Sequence, residues 1–100
     1  MSIEDKIKQA IAEKRIVEFE YHEHPRTVEP HVLGVKDGKV QLLGYQIGGS
    51  STFGIIPDWR RFDLDEIRRL VVTERRFSGR RSSPSSQHSV WDQRLMVVDP

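Results

Sequence analysis

The stretch WRRFDLDEI, residues 59–67, decides the fold prediction because its apolar residues recur at strand spacing and then stop at a turn. Phe62 and Leu64 fall on one face of a strand, and the acids that follow indicate a short helical turn. Arg60 lies two residues before Phe62, so alternation places its side chain on the same face, near the rim of the core. We therefore predict a strand, a tight turn at Asp65 and another strand directly after it.

A helix is predicted at the N-terminus. Ile3, Ile7 and Ile11 fall at helical spacing. Ser2 is a typical N-cap residue, and Asp5 follows it at the spacing of a capping-box variant. A single apolar stripe on so short a helix indicates that the helix packs on the rest of the protein.

Short strands follow the predicted helix. RIVEFEY (15–21) alternates apolar and acidic residues with a period of two. HEHPR, with Pro25 as the turn residue, interrupts the pattern, and TVEPHVLGV (27–35) resumes it. KDGK (36–39) is typical of a tight hairpin turn, and VQLLGYQI (40–47) is the return strand. The order predicts a mainly β fold, in which about five short strands form a strongly bent sheet that closes into a small barrel.

The chain divides by composition into three parts. Residues 1–77 are predicted to form the barrel domain with its helix. Residues 78–89 are polar, contain Pro and Gly and show no apolar periodicity, so they are predicted to be a linker or a disordered segment. Residues 90–100 are apolar enough to dock as a strand, on their own chain or on a neighbour.

Charge and composition narrow the possible environments. The chain has no cysteine and no apolar run near the roughly 20 residues of a membrane helix, so we expect a cytoplasmic protein without membrane contact. The net charge is only +1, yet residues 59–81 hold eight arginines against four acids. That segment favours an anionic partner, although arginine pairs are also typical of solvated strand edges.

The pattern as a whole resembles a WYL domain over residues 5–77. The parts that carry the resemblance are VEFEY, TVEPHVLGV, DGKVQLLGYQ and RRFDLDEI, in this order. The resemblance implies an Sm-like β-barrel of the kind found mostly in bacterial transcription regulators and defence-associated proteins. It also implies ligand sensing, with single-stranded or small nucleic acids as ligands of some members.

The sequence departs from the family pattern at positions that matter for binding. The tripeptide Trp-Tyr-Leu that names the family falls on Val40, Gln41 and Leu42, so only the leucine is kept. In the later motif Asp63 and Glu66 stand where the family usually has arginines. The chain therefore resembles a divergent, stand-alone member whose nucleic-acid contacts are reduced at this motif.

Arg60 is the main candidate for a ligand-binding residue. A guanidinium at the rim matches a phosphate with two parallel hydrogen bonds, and Trp59 or Tyr45 offers a ring on which a base can stack. The structural alternative is a salt bridge from Arg60 to Asp65 or Glu29, because arginine serves both purposes.

The loop after Tyr45 is a second candidate. Successive backbone N–H groups at Gly49, Ser50 and Ser51 can form a nest for an anion, although a Gly/Ser loop is more often a flexible connector. His31, next to Pro30, is expected to form hydrogen bonds and is included among the candidate binding residues.

No set of residues indicates catalysis, a metal or a cofactor. The chain has no cysteine nucleophile, no Gly-x-Ser-x-Gly elbow and no His-Glu-x-x-His motif. We therefore expect a non-enzyme that binds a nucleotide or a short single-stranded nucleic acid. The alternatives are a protein-interaction or homo-oligomerisation module that pairs through residues 90–100, and general nucleic-acid binding through the arginine-rich segment.

Overall fold

The computed structural model describes residues 2–49, 56–81 and 91–100. Its elements are α1 (Ile3–Glu13), β1 (Arg15–Tyr21), β2 (His24–Lys36), β3 (Lys39–Gly49), β4 (Asp58–Asp63), a 3-10 turn (Leu64–Glu66), β5 (Ile67–Arg76) and β6 (Gln93–Val97). The predicted mainly β class and the N-terminal helix are confirmed. The sheet has six strands instead of about five, because the C-terminal segment contributes β6.

The predicted capping signals hold α1 in place. The Ser2 hydroxyl oxygen accepts a hydrogen bond from the Asp5 N–H at 3.1 Å, as an N-cap does. Lys14 ends the helix in the left-handed conformation, with a φ of 56°. The buried residues of the helix are Ile7, Ala10 and Ile11. Among the described residues, no helix is long and apolar enough to cross a membrane.

Two-residue turns join the first three strands. The predicted Asp37–Gly38 turn is confirmed, with φ values of 53° and 77° that suit a hairpin turn. The predicted turn at Pro25 is wrong. The chain turns at His22 and Glu23, which both adopt positive φ, and Pro25 already belongs to β2.

The strands form one antiparallel sheet in the order β4-β3-β2-β1-β5, and β6 pairs with β2. Across the described ranges, β4 and β5 stand at the two ends of this order and do not pair with each other. The prediction of a closed barrel is therefore not confirmed. The observed architecture is an open sheet with α1 packed against it.

Strand β2 pairs with three neighbours. Its first half, as far as Val28, pairs with β1, while Val32 to Val35 pair with β6 on the same side. β3 runs along the other side of β2, with a register shift between Pro30 and Val32. Pro30 therefore stands between the part of β2 that pairs with β1 and the part that pairs with β6. It also lies next to the bulge, and a missing N–H is tolerated at such a position.

The core lies between α1 and one face of the sheet. Phe62 is 1% exposed and meets the rings of Phe19 and Tyr21 edge-on, each with its centroid 5.0 Å away. Such edge-to-face pairs add stability beyond the area that they bury. We call this side of the sheet the inner face; it carries Val28, Leu42 and Phe62, which pack with the buried side chains of α1.

The C-terminal segment returns to its own chain. The Val98 N–H donates to the His31 carbonyl at 2.8 Å, and Val98 is 1% exposed. The Trp91 ring lies against Gly34, where a Cβ atom would come within 2.6 Å of Trp91 Cε3. Strand pairing within one chain gives no support to oligomerisation through residues 90–100, which stays a prediction. Of the predicted linker 78–89, residues 78–81 are described and residues 82–89 lie outside the described ranges.

Replacement of Gly34 tests the docking of β6. We expect Gly34→Ala to lower the free energy of unfolding by about 1–3 kcal/mol, because the added methyl group overpacks against Trp91 and the Gln93 carbonyl. Urea unfolding measures the change, and limited proteolysis reports whether residues 91–98 are released. Gly48→Ala is the control, since its Cβ meets only the Thr27 side chain, at 3.3 Å or more. Equal stability and equal protease resistance of the two variants would contradict the placement of β6.

Candidate ligand-binding site

Strand register sends the predicted binding residues to opposite faces of the sheet. Arg60 pairs with Gly44, whereas Trp59 pairs with Tyr45. Because successive side chains of a strand alternate, Arg60 shares the inner face with Phe62, and Trp59 lies on the other side with Tyr45. We call that other side the outer face. One small ligand that touches Arg60, Trp59 and Tyr45 together is therefore not supported by this geometry.

Arg26 lies on the inner face at the edge of the core. It pairs with Phe19, and its side chain is almost entirely buried, at 7% exposure. Its Nη1 donates to Gln46 Oε1 at 3.2 Å, and its Nη2 donates to the Tyr21 carbonyl at 3.4 Å. The guanidinium also lies 5.8 Å from the centroid of the Tyr21 ring and 6.0 Å from that of Phe62.

The charge of Arg26 is not balanced by a carboxylate in the part of the chain that the structure describes. No described acid pairs with Arg26, and its buried Nε has no hydrogen-bond partner among the described residues. Burial and, next, the positive charge of Arg60 lower the pKa of the Arg26 guanidinium from its usual value. The two positive charges therefore repel each other at this end of the core. We call Arg26 and Arg60 the arginine pair.

The outer face carries a row of side chains across three strands. Glu29 pairs with Tyr45, and Tyr45 pairs with Trp59. The rings of Tyr45 and Trp59 lie 5.3 Å apart, and the Trp59 ring meets His31 edge-on at 4.7 Å. Three residues predicted for the site, Tyr45, Trp59 and His31, are therefore together, although without Arg60.

Arg81, which belongs to the segment after β5, contacts Glu29 and Tyr45 of this row. Its Nε donates to Glu29 Oε1 at 2.6 Å and its Nη2 donates to Oε2 at 3.1 Å, so the guanidinium holds the carboxylate as a fork. The same guanidinium lies 4.4 Å from the centroid of the Tyr45 ring. The hydrogen bond to Glu29 raises the pKa of Arg81 above its usual value. Glu29, which was considered as a partner for Arg60, is thus paired with Arg81.

His31 has a defined protonation state. Its Nδ1 lies 2.8 Å from the Glu29 carbonyl oxygen and so donates, while its Nε2 accepts from the Arg81 backbone N–H at 3.2 Å. Only a neutral imidazole with its proton on Nδ1 satisfies both partners. Burial lowers the pKa of His31 below its usual value of 6.5, and the hydrogen bond and charge of Glu29 partly oppose this. The predicted hydrogen-bonding role of His31 therefore agrees with the geometry.

Asp63 and Glu66, which stand where the family usually has arginines, accept hydrogen bonds from side chains of this chain. Asp63 Oδ1 accepts from Gln41 Nε2 at 2.7 Å, and Glu66 Oε2 accepts from the Tyr21 hydroxyl at 3.2 Å. The Tyr21 oxygen in turn accepts from the Asp63 N–H at 3.1 Å. These bonds fix the 3-10 turn and leave negative charge where an arginine would attract a phosphate.

The predicted anion nest is described only in part. Gly49 has a φ of 87° and lies against the Pro25 carbonyl, opposite Arg26, so its backbone is close to that of Arg26. Ser50 and Ser51 lie outside the described residues. The nest therefore stays a prediction.

Sequence reasoning missed Arg26 and Arg81. The pattern HEHPR predicts a turn at Arg26, but Arg26 stands two residues before Val28, which is itself two residues before Pro30. That alternation was the available signal that its side chain shares the core face. Arg81 was assigned to a linker, and its pairing with Glu29, 52 residues away, leaves no local pattern.

The family comparison gives one result. The model of the WYL domain matches residues 2–72, which include both arginines of the pair as well as Glu29, Tyr45 and Trp59. The match ends before Arg81. No curated protein and no solved structure matches the chain.

The burial of His31 predicts a loss of stability at acidic pH. Its folded-state pKa lies below the unfolded value, so its contribution is fully present above about pH 6.5 and is lost as the pH falls towards the folded pKa. NMR titration of the His31 ring should give a pKa below 6.5. The free energy of unfolding should fall between pH 7.5 and 5 more steeply in the wild type than in His31→Gln. The exposed His22, replaced by Gln, is the control. A His31 pKa at or above 6.5 would show that the neutral form is not the one held in place.

Proposed function

Because this chain belongs to the WYL domain family, we propose that it is a ligand-sensing module whose ligand carries a phosphate. The family match supports a regulatory or ligand-sensing module in general terms. The more specific proposal is that the ligand is a nucleotide or a short single-stranded nucleic acid. Its phosphate binds at the arginine pair, Arg26 and Arg60.

The uncompensated charge of Arg26 is the observation that carries this proposal. A buried ion is costly unless an opposite charge and hydrogen bonds accompany it. Arg26 is 7% exposed, the like charge of Arg60 disfavours its charged form, and no described carboxylate pairs with it. An oxyanion that binds between the two guanidinium groups would remove this repulsion.

Phosphate fits this place better than a carboxylate. Guanidinium groups donate in a planar fork that matches two phosphate oxygens, and a phosphate offers enough oxygens to accept from both arginines at once. The backbone of Gly49 lies beside that of Arg26 and packs against the Pro25 carbonyl, so only glycine fits at this position. The site therefore suits a compact, strongly charged group.

The acids of the 3-10 turn limit the length of the ligand. Asp63 and Glu66 lie on the chain just after Arg60, and both are engaged in hydrogen bonds as acceptors. Asp63 pairs with Gln41, and alternation places it on the outer face. Glu66 accepts from Tyr21, whose ring packs with Phe62. A long nucleic acid that extended past Arg60 on the inner face would therefore meet the negative charge of Glu66. This supports a nucleotide or a short strand over general binding through the arginine-rich segment.

Replacement of Arg26 separates binding from folding. We expect Arg26→Met to abolish binding of inorganic phosphate and mononucleotides, while the free energy of unfolding stays within about 1 kcal/mol or rises, because an unpaired buried charge is removed. Arg60→Ala should also abolish binding with little loss of stability. Arg75→Met is the matched control, since it removes one exposed positive charge from β5.

A thermal-shift screen against phosphate, mononucleotides and short single-stranded oligonucleotides measures these effects, with urea unfolding of each ligand-free variant. Binding by the wild type should weaken as salt increases, because charge drives it. If Arg75→Met weakens binding as much as Arg26→Met does, the interaction is a general charge effect and not a site. If Arg26→Met unfolds at much lower urea concentration and ligands have no effect on any variant, Arg26 is structural.

A further inference from the structure

The Glu29 carboxylate on the outer face is a second buried charge in the sheet. Its side chain is 6% exposed and lies in the row with Tyr45 and Trp59. A carboxylate buried to this extent requires a cation or several hydrogen-bond donors. Its surroundings are aromatic, because the rings of Tyr45, Trp59 and His31 contact one another in a chain next to it.

The cation that satisfies Glu29 comes from outside the family domain. Glu29, His31, Tyr45 and Trp59 all belong to the matched residues 2–72, but Arg81 does not. The Arg81 side chain is 47% exposed although its partner is buried. Among the described residues, the backbone N–H of Arg80 donates one hydrogen bond, to the Asp99 carbonyl. The backbone N–H of Arg81 also donates one, to His31 Nε2.

We propose that Glu29, Tyr45, Trp59 and His31 form a binding site for the guanidinium group of an arginine side chain, and that Arg81 is its internal ligand. An arginine supplied by a partner polypeptide binds the same site when Arg81 leaves it. This outer-face site is separate from the arginine pair, since strand alternation puts the two on opposite sides of the sheet. It takes a cation, whereas the arginine pair takes an anion.

The geometry selects guanidinium over ammonium. The two hydrogen bonds to Glu29 come from two nitrogens of one planar group, at 2.6 and 3.1 Å. The plane of that group can also stack on Tyr45, whose ring centroid is 4.4 Å from the central carbon. A lysine ammonium offers a point charge that cannot make both contacts in this way.

Occupation by Arg81 makes the site a regulated one. An external arginine must compete with a tethered one, so its apparent affinity falls in proportion to the fraction of molecules in which the site is vacant. Displacement of Arg81 also breaks the hydrogen bond from its backbone to His31, and so releases the segment at Arg81, while Arg80 keeps its bonds to the Asp99 and Val98 carbonyls. Binding of a partner's arginine and release of this segment are therefore coupled.

Chemical complementation tests the proposal. In Arg81→Ala, N-acetyl-arginine amide should bind saturably and shift the indole N–H signal of Trp59 in NMR spectra. The indole of Trp91 stacks on Arg61, 4.0 Å from its guanidinium carbon, and serves as an internal control that should not move. N-acetyl-lysine amide should bind at least about tenfold more weakly. Its ammonium group cannot make the two parallel hydrogen bonds to Glu29 and stack flat on Tyr45 at the same time.

Three further proteins decide the outcome. The wild type and Arg80→Ala keep Arg81 and should bind the arginine probe more weakly than Arg81→Ala, while Arg81→Ala combined with Glu29→Gln should not bind it. Absence of saturation in Arg81→Ala, or equal binding with and without Glu29, would overturn the proposal. If Arg81→Ala does not fold, refolding by the arginine probe but not by the lysine probe supports the site. Failure of both probes to refold it, with no binding of the arginine probe to a folded Arg81→Lys, rejects the site.

Discussion

The fold depends on the change of partners within β2 at Pro30. Strand β2 has 13 residues and pairs with β1 in its first half and with β6 in its second half. Its pairing with β3 has a bulge between Pro30 and Val32, where the two halves meet. Proline lacks the N–H that a continuous ladder would use, so this is where one neighbour can end and another begin. The same irregularity places His31 where its ring meets Trp59 and its carbonyl binds Val98.

Alternation along β2 places the buried side chains of Arg26 and Glu29 on opposite faces of the sheet. The inner face ends in the arginine pair, where the buried Arg26 guanidinium is subject to the like charge of Arg60. The outer face holds the buried Glu29 carboxylate, which is neutralised by Arg81 from beyond the family domain. The two proposed sites thus lie on opposite faces of one sheet.

The sequence was sufficient for elements whose signals are local. Helical spacing of isoleucines predicted α1, period-two alternation predicted β1, and Asp37–Gly38 predicted the hairpin. The site was harder to predict from the sequence, because its assembly depends on the register between strands that are distant in the sequence. Tyr45 and Trp59 were expected beside Arg60, but pairing of Arg60 with Gly44 sends its side chain to the other face. Arg26 has a local signal only in its alternation with Val28 and Pro30, and the pairing of Arg81 with Glu29 across 52 residues has none.

Side-chain NMR of the arginines tests the central claim, that the buried positive charge of Arg26 and its neighbour Arg60 forms an oxyanion site. Inorganic phosphate is titrated into protein labelled at the arginine nitrogens, and the Nε–H signals are followed individually. We predict saturable shifts at Arg26 and Arg60, with Arg81 unchanged because Glu29 already holds it. Shifts confined to exposed arginines such as Arg75 and Arg76, or uniform small shifts at every arginine, would contradict the account.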